Sequence, residues 1–180
     1  MAAAKKKKRF YTIQIPLIKK ETQLQAFEPK DLDGRYLKYD LTRILKGKSM
    51  TLSLKVKINE KEEAITIPKE IRILPYYIKR LVRRGTNYVE DSFSTPSKDS
   101  LVRIKPFLVT RRKVSRTVRK ALRNKSKEEL SLWAKENTSE QLFEDILKNK
   151  IQKELSLKLK KIYPLSTCEI RVLKVEKDKN

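Results

Sequence analysis

The amino-acid sequence predicts an α+β fold, in which strands come first, helices follow, and a last strand returns near the C-terminus. Two observations support this prediction. In the first half, several segments alternate between apolar and polar residues, which is typical of half-buried strands. In the second half, apolar residues recur every three or four positions, which is typical of amphipathic helices. A chain of 180 residues fits one such domain, and we predict a basic arm at 1–9, a single domain at 10–175 and a short tail at 176–180.

Four strands are predicted in the first half of the chain. The clearest is 52–58, where Leu52, Leu54, Val56 and Ile58 alternate with polar residues. The others are 10–15, which Pro16 ends, 35–41 and 64–67. Residues 17–33 contain Pro29 and the turn pair Asp33-Gly34, so we predict mainly loop between the first two strands.

Helices dominate the prediction for the second half. Pro75 suits the first position of a helix that runs to Arg84 and stops at Gly85. Strands at 88–93 and 101–109 then flank a loop at 94–100. A basic helix follows from 112 to 124, extending toward Trp133, with an apolar stripe at Val114, Val118, Ala121 and Leu122. Thr138 and Gln141 form a capping-box pattern that opens a last long helix, which ends at Tyr163-Pro164 before a final strand at 166–175.

The most informative feature is the distribution of charge. Between Pro75 and Lys125, fifteen residues are Lys or Arg and only three are acidic, so this stretch contributes +12 of the net charge of +23. Such an excess repels itself in isolation and indicates a surface that binds a polyanion. Nucleic acid is the polyanion that we expect, bound mainly through its phosphates.

The candidate nucleic-acid-binding residues are all basic. Arg112, Arg116, Arg119 and Arg123 have helical spacing and would share one stripe, and arginine binds phosphate oxygens bidentately. The alternative interpretation of these arginines is an ordinary solvated helix face. The full predicted set is Lys5, Lys6, Lys7, Lys8, Arg9, Lys79, Arg80, Arg83, Arg84, Arg111, Arg112, Arg116, Arg119, Lys120 and Arg123.

Aromatic residues are sparse, at 7%, so the expected recognition is of backbone and shape rather than of sequence. We expect each ring that could stack on a base to lie instead at the edge of the core. These rings belong to Tyr36, Tyr76, Tyr77, Tyr88 and Trp133.

The composition argues against an enzyme. Histidine is absent, there is one cysteine, and no glycine-rich phosphate loop occurs, so we predict no catalytic residues, no metal site and no cofactor. Adjacent carboxylates, such as Glu128-Glu129, are interpreted as surface charge. Cys168 is interpreted as a small apolar residue within the final strand and is consistent with a reducing cytosol. No apolar run reaches the ~20 residues of a membrane span, and nothing suggests secretion.

Several segments, in this order, resemble the ribosomal S-three-a family of the archaeal and eukaryotic small subunit. The resemblance covers roughly residues 9–175. It rests on the opening strand 9–16, the Leu32-Asp33-Gly34-Arg35 block with 39–41, the basic run 79–84, the Lys98-Asp99 turn with 101–105, the basic helix 116–123, and Lys160-Lys161-Ile162-Tyr163-Pro164-Leu165. The family typically has glycine after the Lys-Asp turn, where this chain has Ser100. The chain also lacks the C-terminal extension of eukaryotic members, so its length resembles the archaeal type.

The resemblance implies a mixed, β-barrel-like sheet core with packed helices, in a structural component of the cytoplasmic ribosome. It also implies rRNA contacts on the platform near the rRNA 3′ end and the mRNA exit, with neighbouring small-subunit proteins and mRNA as partners. No membrane and no homo-oligomer are expected. The alternatives are a free-standing nucleic-acid-binding architectural protein and, much less favoured for want of catalytic groups, an RNA-modifying enzyme.

Overall fold

The computed structural model describes residues 7–45, 47–58 and 64–178, and the chain forms two compact units. The first unit comprises Met1–Tyr39 and Ser53–Lys69, and the second comprises Asp40–Leu52 and Glu70–Asn180. Lys5 and Lys6 of the predicted basic arm lie outside the described residues.

The described residues form nine strands of a mixed sheet and four α-helices, so the α+β class is confirmed. Closure of the sheet into a barrel stays a prediction. The strands are β1 (Arg9–Ile15), β2 (Lys20–Ala26), β3 (Tyr36–Asp40), β4 (Met50–Ile58), β5 (Ala64–Ile73), β6 (Tyr88–Glu90), β7 (Phe93–Pro96), β8 (Ser100–Thr110) and β9 (Leu165–Asp178). The helices are α1 (Pro75–Leu81), α2 (Arg116–Glu136), α3 (Ser139–Leu147) and α4 (Lys150–Lys160).

The first unit is built around β1. This strand is antiparallel to β2 along its whole length and parallel to β5 at Ile13 and Gln14. The prediction of loop at 17–33 was wrong for β2. Its polar residues Lys20, Glu21 and Gln23 give no apolar alternation that would indicate a strand, and the strand is stabilised by pairing with β1. A small apolar core packs here, formed by Ile13, Ala26, Leu32, Val56 and Ala64.

The second unit is organised by β8. It pairs antiparallel with β9 from Ser100 to Thr110, and β6 and β7 pair with its other edge. Part of the predicted 94–100 loop is therefore strand, and a two-residue turn at Lys98 and Asp99 closes the hairpin through the bond from Ser97 N to Ser100 O (2.7 Å). Ser100 is buried at the start of β8 and does not have a positive φ, so serine in place of glycine causes no backbone strain.

The basic helix begins later than the sequence suggested. Ser115 caps α2, and its hydroxyl accepts a hydrogen bond from Val118 N (3.4 Å). Arg112 therefore precedes the helix, and the prediction that it continues the helical arginine stripe was wrong. Within α2, Leu122 is buried as expected, whereas Ala121 is exposed. The rest of the buried face is formed by Ser126, Leu130 and Ala134.

The predicted last long helix is two helices, α3 and α4. The capping box at Thr138 is present as predicted, with Thr138 N donating to Gln141 Oε1 (3.0 Å). The break occurs at Asn149, which has φ of 56°, a left-handed conformation that asparagine tolerates better than most residues. Lys48 Nζ donates to the Asn149 side chain (2.6 Å), and this contact stabilises the break. The final strand was predicted correctly.

Candidate nucleic-acid interface

Two loops of the second unit are joined by hydrogen bonds between Asn87 and Thr110. The Thr110 side chain is fully buried, and its hydroxyl accepts a hydrogen bond from Asn87 N (3.0 Å). The same oxygen lies 2.9 Å from the carbonyl oxygen of Asn87 and 2.7 Å from that of Arg112. Thr110 N also donates to Asn87 O (2.9 Å), and Val114 N donates to Asn87 Oδ1 (2.8 Å). The segment after α1 is thus fastened to the segment before α2.

These bonds bring together basic residues that lie far apart in the sequence. Arg83 and Arg84 precede the turn at Gly85, where Thr86 bonds to Arg83 O, and the other basic residues of this surface follow β8. We call the surface formed by Arg83, Arg84, Arg111, Arg112, Lys113 and Arg116 the basic junction. Each of these side chains is exposed. Lys113 was not in the predicted set, and the structure places it in the loop before α2.

The charges of the basic junction are not neutralised. Among the residues that the structure describes, none of its six side chains has a carboxylate within the 4.0 Å of an ion pair. By contrast, Arg72 pairs with Glu70 (2.7 Å) and Arg103 pairs with Glu176 (2.7 Å). Uncompensated guanidinium groups on loops held at fixed positions leave their donors available to phosphate oxygens.

The basic residues that were predicted to bind nucleic acid and that lie on α2 are not all exposed to solvent. Arg116 and Lys120 are exposed on α2. Arg123 is also exposed, and its Nε donates to the carbonyl oxygen of Glu90 (3.3 Å), which ties α2 to β6. Arg119 is half-buried, and its Nε is shielded from solvent and has no hydrogen-bond partner among the described residues. The exposed positions can contact a polyanion directly, whereas Arg119 lies partly within the protein.

The remaining predicted basic residues lie elsewhere. Lys79 and Arg80 are exposed in the last turn of α1, just before the basic junction in sequence. In the first unit, Lys7, Lys8 and Arg9 are exposed. Lys8 Nζ lies 5.5 Å from the ring centre of Phe27, within the range of a cation–π contact.

Aromatic side chains are more exposed than the sequence suggested. Tyr36, Tyr76 and Tyr88 are 67%, 49% and 53% exposed, so the prediction that they lie at the edge of the core was wrong. Trp133 is half-buried, as predicted, and donates to Asp145 Oδ2 (3.2 Å). Tyr88 directly follows Asn87, and its ring stacks on Phe107 with centroids 5.9 Å apart. The ring therefore stands in a fixed orientation next to the basic junction.

Phe10 and Phe27 of the first unit are also exposed, at 65% and 45%, and the sequence analysis missed them as surface rings. Phe27 follows β2, and its position beside Lys8 could not be read from the sequence because β2 was not recognised.

The carboxylates take part in ordinary surface pairing. Glu129 pairs with Lys158 (2.5 Å) and Lys125 (3.2 Å), and the hydrogen bond from Lys158 is the main reason that its pKa is lowered.

Burial raises the pKa of Cys168 to about 12, so this thiol is not a nucleophile at neutral pH. In the part of the chain that the structure describes, no group of three or more His, Cys, Asp or Glu residues could hold a metal ion. None of the described helices is long and apolar enough to cross a membrane.

The fold and this surface define a class of protein, namely an α+β protein with exposed arginines that have no carboxylate partner among the described residues. The family model that matches the chain is that of the Ribosomal S3Ae family, over residues 2–179, and the chain belongs to this family. The chain is therefore a structural constituent of the small subunit of the cytoplasmic ribosome, in a ribonucleoprotein that carries out translation, and is not an enzyme.

Archaeal relatives match over nearly the whole chain. Small ribosomal subunit protein eS1 of Nanoarchaeum equitans is 29% identical over 178 residues, covering 95% of this chain and 90% of the relative. The protein of the same name from Saccharolobus islandicus is 29% identical over 179 residues, covering 96% and 86%. That of Methanothermobacter thermautotrophicus is 27% identical over 172 residues, covering 92% and 88%. The predicted family is confirmed, and these three relatives are archaeal.

Proposed function

We propose that the basic junction binds phosphates of the small-subunit rRNA and that these contacts hold the chain in the subunit. The observation that carries the proposal is the attachment of Asn87 to Thr110, which joins two arginine-rich segments into one surface without acidic partners in the described part of the chain. Arginine forks fixed at their backbones lose little entropy when they bind phosphate. The relatives named as small ribosomal subunit proteins support rRNA as the polyanion.

The wider contact set comprises the other exposed basic residues. Lys79, Arg80, Lys120 and Arg123 extend the surface along α1 and α2, and Lys7, Lys8 and Arg9 provide a second basic region in the first unit. Lys5 and Lys6 remain predicted contacts of the arm. We assign Arg119 a supporting role within α2, because its side chain is half-buried.

The proposed location is the platform of the subunit, near the rRNA 3′ end and the mRNA exit, with neighbouring ribosomal proteins as further partners and mRNA close by. This location follows from the family resemblance, and the structure contributes the surface that would face the RNA. We expect no homo-oligomer.

The test is rRNA binding measured over a range of salt concentrations. The double variant Arg83→Ala/Arg112→Ala removes one arginine from each loop, and the matched control Arg72→Ala/Arg103→Ala removes two ion-paired arginines. If both junction arginines contact phosphates, the slope of log K against log salt falls by about 1.5 and affinity falls at least about tenfold. The control should change the slope by much less. Equal slopes in the wild type and the junction variant would contradict the proposal.

A second experiment separates the proposal from the architectural alternative. In sedimentation of a native lysate, the chain should migrate with small subunits at low and at moderately high salt. Migration with chromosomal DNA, or equal competition by duplex DNA in the binding assay, would favour a free-standing architectural protein.

A further inference from the structure

A groove of about 840 Å³ lies between α4 and β9 in the second unit. We call it the α4–β9 groove; its lining includes Leu45, Lys48, Tyr77, Gln152, Leu157 and the strand residues 166–169. It shares no lining residue with the basic junction. The surface proposed for rRNA therefore leaves this groove without a function.

The groove follows an unpaired edge of β9. On one side, β9 pairs with β8 as far as Leu165. On the other side, β9 pairs with β5 only at Lys174 to Val172, opposite Glu70 to Arg72. Among the described strands, residues 165–170 therefore have β8 as their one neighbour. Four successive residues, 166–169, line the groove. Because successive side chains of a strand point to opposite faces, a groove that touches all four meets the strand along its edge.

A buried acceptor in the wall of the groove has no partner. Gln152 is 5% exposed, and its Nε2 donates to Ile146 O (3.0 Å), which fixes the orientation of the amide. Its Oε1 has no hydrogen-bond partner within the described structure. An unsatisfied buried acceptor is costly, so a ligand that supplies a donor here gains affinity. At the mouth of the groove, Leu157 is 67% exposed and offers an apolar contact.

The charges of the groove favour a polypeptide over RNA. Lys48 Nζ lies 2.5 Å from Glu169 Oε2, and these two charges compensate each other. Of the lining side chains that the structure describes, Lys153 is then the one charged group without a partner. A nucleic-acid backbone requires several cations. An unpaired strand edge offers alternating N–H and C=O groups, which the main chain of an extended peptide matches.

We propose that the α4–β9 groove binds an extended segment of a partner polypeptide. The segment adds as a strand to the free edge of β9 at 165–170, places an apolar side chain against Leu157 and Leu45, and donates a hydrogen bond to Gln152 Oε1. This inference does not depend on which residues contact rRNA. It concerns a second surface of the same chain, and the occupant is a neighbouring protein of the assembled subunit.

Photo-crosslinking in assembled small subunits identifies the occupant. Benzoylphenylalanine replaces Leu157 in the groove or, as the matched control, Leu132, which is 55% exposed on α2 and outside the groove. We expect position 157 to crosslink to one segment of another subunit protein and position 132 not to crosslink to that segment. Crosslinks from position 157 to rRNA, crosslinks within the chain alone, or the absence of crosslinks would each overturn the proposal.

The crosslinked segment is then synthesised and its binding to the full chain measured. Leu157→Asp should weaken binding at least about tenfold, whereas Leu132→Asp should leave it within about twofold of the wild type. Both leucines are exposed, so both variants should fold, and thermal unfolding checks this. Hydrogen exchange of the wild-type chain provides the second readout, since strand addition should slow amide exchange within 165–170 at least about tenfold. Binding that is indifferent to Leu157→Asp, or binding without slower exchange, would refute strand addition in this groove.

Discussion

Replacing Thr110 with valine tests whether the basic junction must be held rigid. Valine keeps the shape of the fully buried side chain but removes the hydroxyl that accepts from Asn87 N (3.0 Å) and lies 2.7 Å from Arg112 O. A buried backbone N–H loses one acceptor, which costs about 1–3 kcal/mol of folding stability. The backbone bond from Thr110 N to Asn87 O (2.9 Å) remains, so the strands should stay paired while the loop carrying Arg112 loosens.

The charge of the Thr110→Val variant is unchanged, and this makes its binding behaviour diagnostic. Ordering a loosened loop at the moment of binding should reduce rRNA affinity by about five- to tenfold, which corresponds to about 1–1.4 kcal/mol. The slope of log K against log salt should not change, because it reports the number of phosphates contacted.

Thr66→Val is the matched control for this variant. Thr66 is a buried threonine of the first unit whose hydroxyl donates to Gln14 O (3.1 Å), so its replacement should lower stability without altering rRNA affinity. The reasoning is refuted if Thr110→Val loses stability, measured by urea unfolding, but binds rRNA as tightly as the wild type.

Three further predictions concern stability and reactivity in the second unit. Although burial opposes it, the hydrogen bonds from the Ser139 hydroxyl and N–H lower the pKa of Asp99. Asp99→Ala should therefore cost about 1–2 kcal/mol at pH 7 in urea unfolding, and the difference should shrink as the pH is lowered and the wild-type carboxylate takes up a proton. A stability difference between the wild type and Asp99→Ala that stays constant as the pH is lowered would contradict this prediction. Lys48→Met leaves the Glu169 carboxylate, whose pKa burial already raises, without its ion pair, so the free energy of unfolding should fall by about 3 kcal/mol. Adding Glu169→Gln should restore part of this loss, because the bond from Lys48 to Asn149 stays lost. The loss in the single variant should shrink as the pH falls and Glu169 takes up a proton. The Cys168 thiol is half-buried, and its pKa is raised to about 12. It should therefore react slowly with iodoacetamide at pH 8 until urea unfolds the chain, and rapid labelling of the folded chain would contradict the raised pKa.

The strands and helices that could be predicted from the sequence are those whose own periodicity is strong. In β4, Leu52, Leu54 and Val56 alternate with partly exposed neighbours and all three are fully buried. The strand β2 has no comparable signal, because only Leu24 and Ala26 among its residues are apolar. It exists through pairing with β1, which is a tertiary effect that no local pattern reports.

The break between α3 and α4 shows a different limit. The apolar residues of this region keep their helical spacing, and Leu142, Ile146, Leu155 and Leu159 are all buried. The pattern therefore predicted one helix. The left-handed conformation of Asn149 is stabilised by Lys48, which lies 101 residues away in the sequence. A contact of that separation cannot be inferred from spacing alone.

At the candidate interface, the chemistry could be predicted but its arrangement could not. The excess of arginine between Pro75 and Lys125 indicated a polyanion surface, and the exposed arginines do lie there. The sequence analysis placed Arg112 in a helical stripe, because the spacing of four to Arg116 satisfies that pattern. In the structure, α2 begins at Arg116 after the cap Ser115, and Asn87 holds the preceding loop through a bond from Val114 N.

The arrangement of the basic junction explains how this surface can be stable before it binds RNA. Like charges crowded along one helix face repel each other at distances of one turn. Here the arginines are divided between the segment after α1 and the segment before α2, and neutral side chains, those of Asn87 and Thr110, hold the two segments together. The energy that keeps the charges in place therefore comes from buried hydrogen bonds that salt does not screen. Attraction to phosphate is screened by salt, so rRNA affinity should fall as the ionic strength rises. The hydrogen bonds that hold the two segments together should not change with ionic strength.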